Sequence, residues 1–523
     1  MLIFYGMIEG FLYVLLFLVS AIFVLKLFNS TKHGKPKQLM KIPKLSEIKE
    51  LAHSALNPPQ QDLLRDPLWR GDHASILHGV LHEKFPDTPA IRLEGEERDV
   101  FIVHKFEWCK KIMFDGNFTS NPFPDLRLVA LNTMNDSQHN KMIRFIKPGY
   151  VANKWKSDGV EERWIERIAE FFGKEFLKNG DAVKFAKRFH MAVSLGVSGL
   201  GGKDWLDNLE INPLAEKLID RFIEFNDAAV RLMAPLGGIG FRSGPGNFSY
   251  FLSGLLSAVP SVLRLVWEIG FIQTWKLLRP DLIFLPQKRP FNHIREYPKL
   301  LKLIPEYFII LKSQMIKAEE DSPAGGLYKG IVGGQISWAE ALVVSVQLMV
   351  NMTTANGILN CLDRLVLAAD SEKENPLLSC LPALVPLSVP GNSLKVLLDP
   401  ELSEKVIFEI LRVDAPLMRN PRQALKDVDL DGVKIPAGSL ILLFLGAANV
   451  DPENLEFSSL SFGHGMHACL GRYLVLSEIR ICWDLFKKWK IWENKLIERE
   501  RLVHVDVGNY GFSKYRFDMH FPR

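Results

Sequence analysis

The sequence predicts a mainly α-helical fold with a small amount of β-sheet. Most of the 523-residue chain follows helical periodicity. Within residues 161–176 and 213–234, for example, charged and apolar residues alternate with a period of about 3.6. Strand signals, in contrast, are few and short. Hydrophobic residues make up 47% of the chain and charged residues 24%, a composition typical of a globular protein with a large core.

The strands that the sequence does predict are short. They lie at residues 90–93 and 100–103, with a hairpin around residues 428–433. The hairpin contains Asp431-Gly432, a dipeptide typical of tight two-residue turns. Residues 336–368 are strongly apolar and predict one long helix through the core.

The N-terminus predicts a membrane anchor. Residues 2–28 are apolar apart from Glu9 and Lys26, which is long enough to cross roughly 30 Å of hydrocarbon. Lysines follow this segment and none precedes it, so the bulk of the chain is expected in the cytosol. A cleaved signal peptide is the alternative. It requires a basic start and a small-residue cleavage site, and neither is evident in this segment. We therefore expect an anchor at 1–28, a basic proline-containing linker at 29–59 and one globular domain at 60–523.

A second apolar stretch lies at residues 247–286, where 248–263 contain no charge but are interrupted by Gly254 and Pro260. A run of this length is typical of a buried pair of helices. The alternative is a contact with the membrane surface, to which Trp267 and Trp275 would contribute. Both interpretations stay open on the sequence.

Charge and cysteine content exclude other classes. The net charge is +4 against 64 basic residues, without a dense basic run, so nucleic-acid binding is not expected. The cysteines are odd in number and scattered. This pattern favours a reducing compartment over a disulfide framework.

The most specific motif is the loop Ser-Phe-Gly-His-Gly-Met-His-Ala-Cys-Leu-Gly-Arg at 461–472, which sets Cys469 in front of a predicted helix. Glycines at 463, 465 and 471 allow positive φ and a close approach to a flat ligand. Backbone amides and the helix start favour a thiolate, which can ligate haem iron. The alternatives are a buried structural cysteine and a zinc site with His464 and His467, which lacks a second pair of ligands.

The pattern Phe-Gly-x-Gly-x-His-x-Cys-x-Gly at 462–471 resembles the cysteine loop of the cytochromes P450, in its bacterial-type form. The resemblance implies the mainly α cytochrome P450 fold with small β-sheets, here behind one N-terminal transmembrane helix. It also implies haem b as cofactor, with Cys469 as the axial iron ligand and Phe462 and Gly463 beside the cofactor.

A second landmark is Glu409-Ile-Leu-Arg412, where carboxylate and guanidinium lie at i and i+3 of a predicted helix and can pair. It resembles the structural Glu-x-x-Arg pair of the family. Only nine residues separate Pro452 from Phe462, and the family's arginine that completes this network has no counterpart there. The pair is therefore expected to lack its usual third partner, unless other contacts replace it.

The resemblance also implies groups that bind the two haem carboxylates. Arg422 and His467 match family positions with this role. His139 and Arg144 resemble the family helix that supplies a histidine and an arginine, although here the arginine follows by five residues instead of four. A surface histidine and arginine are the alternative.

Thr353 matches the family's distal threonine, which would hydrogen-bond iron-bound oxygen and steer proton delivery. The residues before it depart from the pattern, because Met352 stands where the family usually has an acid. A helix threonine that bonds back to its own carbonyls is the alternative for Thr353.

These features imply NADPH-driven insertion of one oxygen atom from O2 into a hydrophobic small molecule, such as a lipid, terpenoid or polyketide-like secondary metabolite. NADPH-cytochrome P450 reductase would supply the electrons to a monomer anchored in the endoplasmic reticulum membrane. The missing acid leaves open a haem-thiolate isomerase, dehydratase or peroxide-using enzyme. The short segment before the loop leaves open a non-catalytic, membrane-anchored haem protein.

Overall fold

The computed structural model describes residues 81–82, 85–93, 99–120, 136–151, 160–201, 213–233, 248–278, 297–350, 353–369, 393–454, 459–504 and 509–519. The predicted anchor at 1–28 and linker at 29–59 lie outside these residues. Among the helices of the described part, none is both long and apolar enough to span a bilayer.

Helices dominate the described residues, as the periodicity predicts. In chain order they are α1 Phe106–Phe114, α2 Asp136–Val151, α3 Val160–Asn179, α4 Ala182–Ser198, α5 Pro213–Met233, α6 Phe248–Ile269, α7 Phe271–Leu278, α8 Tyr297–Lys317, α9 Pro323–Val332, α10 Trp338–Val350, α11 Thr353–Ala369, α12 Ser393–Leu398, α13 Ser403–Val413, α14 Leu445–Asn449 and α15 Arg472–Lys488.

The strands form one sheet and two hairpins. They are β1 Ile91–Leu93, β2 Val100–Val103, β3 Phe118–Thr119, β4 Asn420–Ala424, β5 Val428–Leu430, β6 Val433–Ile435, β7 Leu440–Leu443, β8 Lys495–His504 and β9 Asn509–Asp518. The sheet has the order β1-β2-β7-β4-β3, and only β2 and β7 pair in parallel. This sheet brings the N-terminal strands against residues 420–443, close in sequence to the cysteine loop.

The predicted hairpin at 428–433 is confirmed as β5 and β6. Its turn residues Asp431 and Gly432 have φ of 49° and 90°, the positive values that a type I′ turn requires at both central positions. The side chain of Asp429 accepts a hydrogen bond from the Gly432 amide, at 2.7 Å. The Asp-Gly signal thus identified the turn.

The main core lies where α3, α4, α15 and β9 meet. Aromatic rings fill this junction, with centroids 5.3 to 6.3 Å apart between Phe176 and each of Phe185, Phe486, Trp489 and Phe517. Such offset and edge-to-face contacts stabilise a core beyond the area they bury. The helix that follows the cysteine loop is thereby held rigidly in the interior.

The stretch 336–368, which the sequence predicts as one long helix, contains α10 and α11. α10 ends at Val350 and α11 begins at Thr353, while residues 351–352 lie outside the described part. α11 then crosses the core at Gly357, where a Cβ would lie only 3.0 Å from Ile479 and 3.3 Å from Leu411. A glycine is needed there because α11 approaches both α13 and α15.

The hairpin of β8 and β9 is attached to α11 by a buried ion pair. The carboxylate of Asp363 accepts bonds from Nε and Nη2 of Arg499, at 2.8 and 3.0 Å. The hydroxyl of Tyr515 donates to the same carboxylate at 3.1 Å. Asp363 is fully buried, so this two-stranded hairpin, marginal by itself, is fixed by a charged contact.

The described part of the apolar stretch, residues 248–278, contains α6 and α7, and the interpretation as a buried helix pair holds for it only in part. Leu265 is buried, but Trp267 is 81% exposed and Ile272 68%. Phe271 and Leu263 are also exposed. A row of large apolar side chains on α6 and α7 therefore faces away from the core.

Candidate functional site

The loop that carries Cys469 is a tight, self-bonded structure. The Cys469 amide donates to the Phe462 carbonyl and the Gly463 amide to the Leu460 carbonyl, both at 2.8 Å. Gly463 and Gly465 have φ of 70° and 69°, the left-handed region in which a Cβ is strained. The two glycines therefore allow the chain to reverse direction just before the cysteine, as the sequence predicts.

A short 3₁₀ turn at Gly465–His467 seats the loop on α1. A Cβ at Gly465 would lie 3.1 Å from the carbonyl oxygen of Met113, so the close approach also favours glycine. The ring of His464 meets Phe114 edge to face, with centroids 4.5 Å apart. α1 thus supports the loop from one side.

Cys469 itself is accessible to solvent, which contradicts the alternative of a buried structural cysteine. Desolvation by the surrounding loop raises the pKa of its thiol. The Gly471 amide and the Arg472 charge act in the opposite direction and lower the pKa, but they weigh less. The amide and the positive charge thus act toward the thiolate, as the sequence predicts, and desolvation acts against it.

The zinc alternative does not fit the geometry. His464 packs on Phe114, while the ring of His467 points to a different set of partners, Ser120 and His139. In the described part of the chain, no three histidine, cysteine or acidic side chains are grouped so that they could hold a metal ion.

A cluster of donor groups forms beside the loop, and two predicted residues meet in it. The rings of His139 and His467 lie with centroids 4.1 Å apart, although α2 supplies one and the loop the other. Desolvation, together with the charges of the neighbouring His139 and Arg422, lowers the pKa of His467 from 6.5 to about 3. The charge of Arg422 thus acts on this ring from its neighbourhood.

Arg422 is buried on β4, and its Nη1 donates to the side chain of Asn420 at 2.6 Å. Strand β4 pairs with β7 and β3, so the sheet places this arginine against the loop. His139, His467 and Arg422 are therefore brought together although they are far apart in sequence.

Ser120 belongs to the cluster, and the sequence reasoning missed it. Its Oγ lies 2.9 Å from Nε2 of His467, and its side chain is 2% exposed. It follows β3 directly, where a lone serine after a short strand carries no recognisable signal. Only the pairing of β3 with β4 brings it to the loop.

Arg144 is not brought into this cluster. It is exposed, whereas His139 on the same helix is buried. Five residues correspond to about 140° of rotation around an α-helix, so the two side chains point to different sides of α2. The extra residue noted in the sequence is the physical reason, and the assignment of Arg144 to the cofactor is not supported by its position.

The predicted pair of Glu409 and Arg412 is confirmed. Nε and Nη2 of Arg412 donate to the two carboxylate oxygens of Glu409 at 2.8 and 2.5 Å, a bidentate geometry that favours arginine. The third side of the guanidinium is also occupied, because Nη1 donates to the backbone carbonyl of Asn449. A backbone carbonyl thus supplies the contact for which the sequence offered no arginine.

Thr353 and Phe462 are both partly buried. Thr353 is the first residue of α11 and is half-buried. Phe462 is partly buried against the main core, and the guanidinium carbon of Arg472 lies 5.5 Å from its ring centroid.

Two buried charges support the elements around the loop and were not anticipated. Glu478, on α15, accepts a hydrogen bond from Nδ1 of His190 at 2.9 Å and is 0% exposed. Asp451, just before the loop, accepts from the Phe106 amide at 2.9 Å and pairs with Lys105 at 3.3 Å. A carboxylate at the start of α1 is favoured by the helix dipole. Partners so distant in sequence leave no local pattern.

Residues 397–485 match the family model for cytochrome P450. Cytochrome P450 105C1 of Streptomyces is 40% identical over 95 residues, which cover 16% of this chain and 25% of that protein. Vitamin D(3) 25-hydroxylase of Pseudonocardia autotrophica is 39% identical over 95 residues, covering 16% and 24%. The chain therefore matches about a quarter of the length of these curated relatives.

The fold is shared over a much larger part. CYP109E1 of Bacillus megaterium, solved with testosterone, superposes with a TM-score of 0.58 at 17% identity. The superposition covers 86% of this chain and 100% of the CYP109E1 chain. P450BioI, solved with a fatty-acyl carrier protein, gives a TM-score of 0.56 at 16% identity, with coverages of 85% and 97%. The mainly helical cytochrome P450 fold with small sheets is thus confirmed, whereas the predicted N-terminal transmembrane helix lies outside the described residues.

Proposed function

We propose that this chain, which belongs to the cytochrome P450 family, is a haem-thiolate monooxygenase. It would insert one oxygen atom from O2 into a hydrophobic small molecule. The observation that carries the proposal is the accessible thiol of Cys469 in its self-bonded loop, beside the donor cluster of His139, Ser120, Arg422 and His467.

The chemistry of these donors fits haem. Haem is flat and carries two carboxylates. A guanidinium binds a carboxylate through its planar fork, and imidazole and hydroxyl groups also donate to it. His139, His467 and Arg422 would hold the carboxylates, and Cys469 would hold the iron. We propose haem b as the form bound.

When bound, the haem supplies the oxygen chemistry. The chain's own residues exclude water, orient the substrate and move protons. The hydroxyl of Thr353, in the first turn of α11, would pass protons toward the distal side. Because Met352 replaces the usual acid, we propose that water molecules deliver these protons to the hydroxyl.

A carbon-monoxide difference spectrum of the reduced protein tests the proposal. We expect the absorbance typical of a thiolate ligand in the wild type, its loss in Cys469→Ala, and its retention in Cys109→Ala. Cys109 is a suitable control because it is fully buried in α1. A wild-type protein that binds no haem, or a Cys469→Ala protein with an unchanged spectrum, would overturn the proposal.

Met352 favours a second candidate, a haem-thiolate isomerase, dehydratase or peroxide-using enzyme that does not activate O2. Parallel turnover assays separate the two. Product formed with NADPH and a redox partner supports the monooxygenase. Product formed only from a peroxide substrate or added peroxide supports the second candidate. Haem binding without any turnover would favour a non-catalytic haem protein.

A monooxygenase requires an electron donor, and we propose a redox protein that docks beside the cysteine loop. Phe114, Met466 and Tyr473 are 64%, 45% and 72% exposed, and all belong to the loop or to the elements that flank it. The expected NADPH-cytochrome P450 reductase is one candidate, and a ferredoxin is favoured by the bacterial relatives. Measured rates of reduction by each donor decide between them. Tyr473→Ala should lower the rate of reduction by the physiological donor.

The substrate class is proposed to be lipid-like, such as a fatty acyl chain, terpenoid, steroid or polyketide. The structural neighbours with testosterone and with a fatty-acyl carrier protein support this class. We further propose that the exposed Trp267, Phe271 and Ile272 contact a membrane surface, in addition to the anchor proposed at 1–28. Liposome flotation of a chain lacking residues 1–30 tests that contact: a protein that stays in solution argues against it.

A further inference from the structure

We infer that Asn449 positions the cysteine loop, by joining the Glu409–Arg412 pair to the backbone that precedes Phe462. This inference rests on the proposed haem-thiolate function, because it concerns how the proposed iron ligand is held. It assigns a role to a residue that the motif pattern does not mark.

The first step is the contact with the charged pair. Arg412 is 2% exposed, and a buried guanidinium is costly unless its donors are satisfied. The Glu409 carboxylate accepts hydrogen bonds from Nε and Nη2, and the Asn449 carbonyl accepts one from Nη1. The C-terminal end of α14, where helix carbonyls lack partners within the helix, thus supplies an acceptor, and the partial negative charge of that end suits a cation.

The second step is the contact with the loop. The Asn449 side chain is 0% exposed. Its Oδ1 accepts from the Leu460 amide at 2.7 Å, and its Nδ2 donates to Oγ of Ser461 at 2.9 Å. Ser461 in turn donates to the Leu411 carbonyl at 2.7 Å. The oxygen and the nitrogen of the Asn449 side-chain amide therefore bind Leu460 and Ser461, the two residues that precede Phe462.

The third step leads to the cysteine. The Leu460 carbonyl accepts the Gly463 amide, and the Phe462 carbonyl accepts the Cys469 amide, both at 2.8 Å. The residues that Asn449 holds are thus the residues that close the loop. A continuous set of hydrogen bonds runs from α13 through Asn449 to Cys469, and its bond from the Leu460 amide to Asn449 is buried, where a hydrogen bond is strong.

The test compares variants of the full-length holoprotein. Asn449→Leu keeps the backbone carbonyl and removes both side-chain bonds, while Asn449→Asp keeps the acceptor for Leu460 and loses the donor to Ser461. Asn360→Leu is the matched control, because Asn360 is also 0% exposed and donates to a backbone carbonyl, that of Asp414, at 2.9 Å. Two quantities are measured: the rate of haem loss to an acceptor protein, and the thiolate-type share of the carbon-monoxide spectrum.

We expect haem to leave Asn449→Leu about tenfold faster than the wild type. The substitution leaves the Leu460 amide without its acceptor, and an unpaired buried amide costs on the order of a factor of ten in an equilibrium constant. The thiolate-type share should fall, with Asn449→Asp in between, and Asn360→Leu should keep the wild-type spectrum despite lower stability. Should Asn449→Leu fail to fold, Asn449→Asp carries the comparison. Equal behaviour of the Asn449 and Asn360 variants overturns this inference alone, whereas a wild type without haem overturns the proposed function as well.

Discussion

The hydroxyl oxygen of Ser120 lies 2.9 Å from Nε2 of His467, and both side chains take part in a cluster assembled from four separate segments of the chain. This bond orients the imidazole of His467, which also contacts His139 at 4.1 Å between ring centroids. Ser120 is therefore as much part of the proposed cofactor site as the residues of the motif.

Ser120→Ala is expected to weaken haem binding roughly fivefold, since a buried hydrogen bond contributes about 1 kcal/mol. Titration of the apo-protein with haem measures the effect. Ser120→Thr keeps the hydroxyl and should bind like the wild type. Equal affinities of the alanine and threonine variants would contradict a role for the hydroxyl.

Glu478→Ala should lower the free energy of unfolding by about 3 kcal/mol, because it leaves His190 without its carboxylate and opens a cavity in α15. Glu478→Gln, which can still bond to the imidazole, should cost less. Urea denaturation of the three proteins gives the values. Glu493→Ala, at an exposed position, is the control and should change stability by no more than about 0.5 kcal/mol.

Asp363→Asn removes the charge that Arg499 pairs with inside the protein. The Arg499 side chain is 24% exposed, so the loss of its charged partner should cost about 1–3 kcal/mol, and this loss should fall on the attachment of β8 and β9 to α11. Hydrogen exchange is expected to accelerate in residues 495–518 more than elsewhere. Glu500→Gln, on the exposed side of the same hairpin, should leave the exchange unchanged; a uniform acceleration in Asp363→Asn would refute the local anchor.

Stability should fall in mild acid through His104. Desolvation and the neighbouring His82 lower the pKa of His104 from 6.5 to about 3, and Asp451 and Lys105 also face it. Between these two values the unfolded chain binds a proton that the folded chain excludes, so stability is lost as the pH falls below 6.5. The loss amounts to about 2 kcal/mol near a pH of about 5.

Urea denaturation of the wild type and His104→Gln over this pH range measures the contribution. Gln can still donate to the Phe85 carbonyl that Nε2 of His104 contacts at 3.2 Å, but it does not titrate. The variant should therefore lose less stability than the wild type as the pH falls. Parallel curves for the two proteins would show that His104 is not the group responsible.

Much of the fold followed from local patterns. Periodicity predicted the helices now described at Val160–Asn179 and Pro213–Met233, and Asp431-Gly432 predicted its hairpin.

The glycine-rich motif around Cys469 also determined its own backbone by itself, because positive φ at Gly463 and Gly465 is a local requirement. The tertiary structure decided which groups surround that loop. Ser120 and Glu478 contact partners that lie 347 and 288 residues away in the sequence. Asn449 accepts a hydrogen bond from Arg412 through its backbone carbonyl. Arg144 is turned away by helical rotation. Local sequence specifies the conformation of a segment, whereas contacts between distant segments depend on how all of them pack.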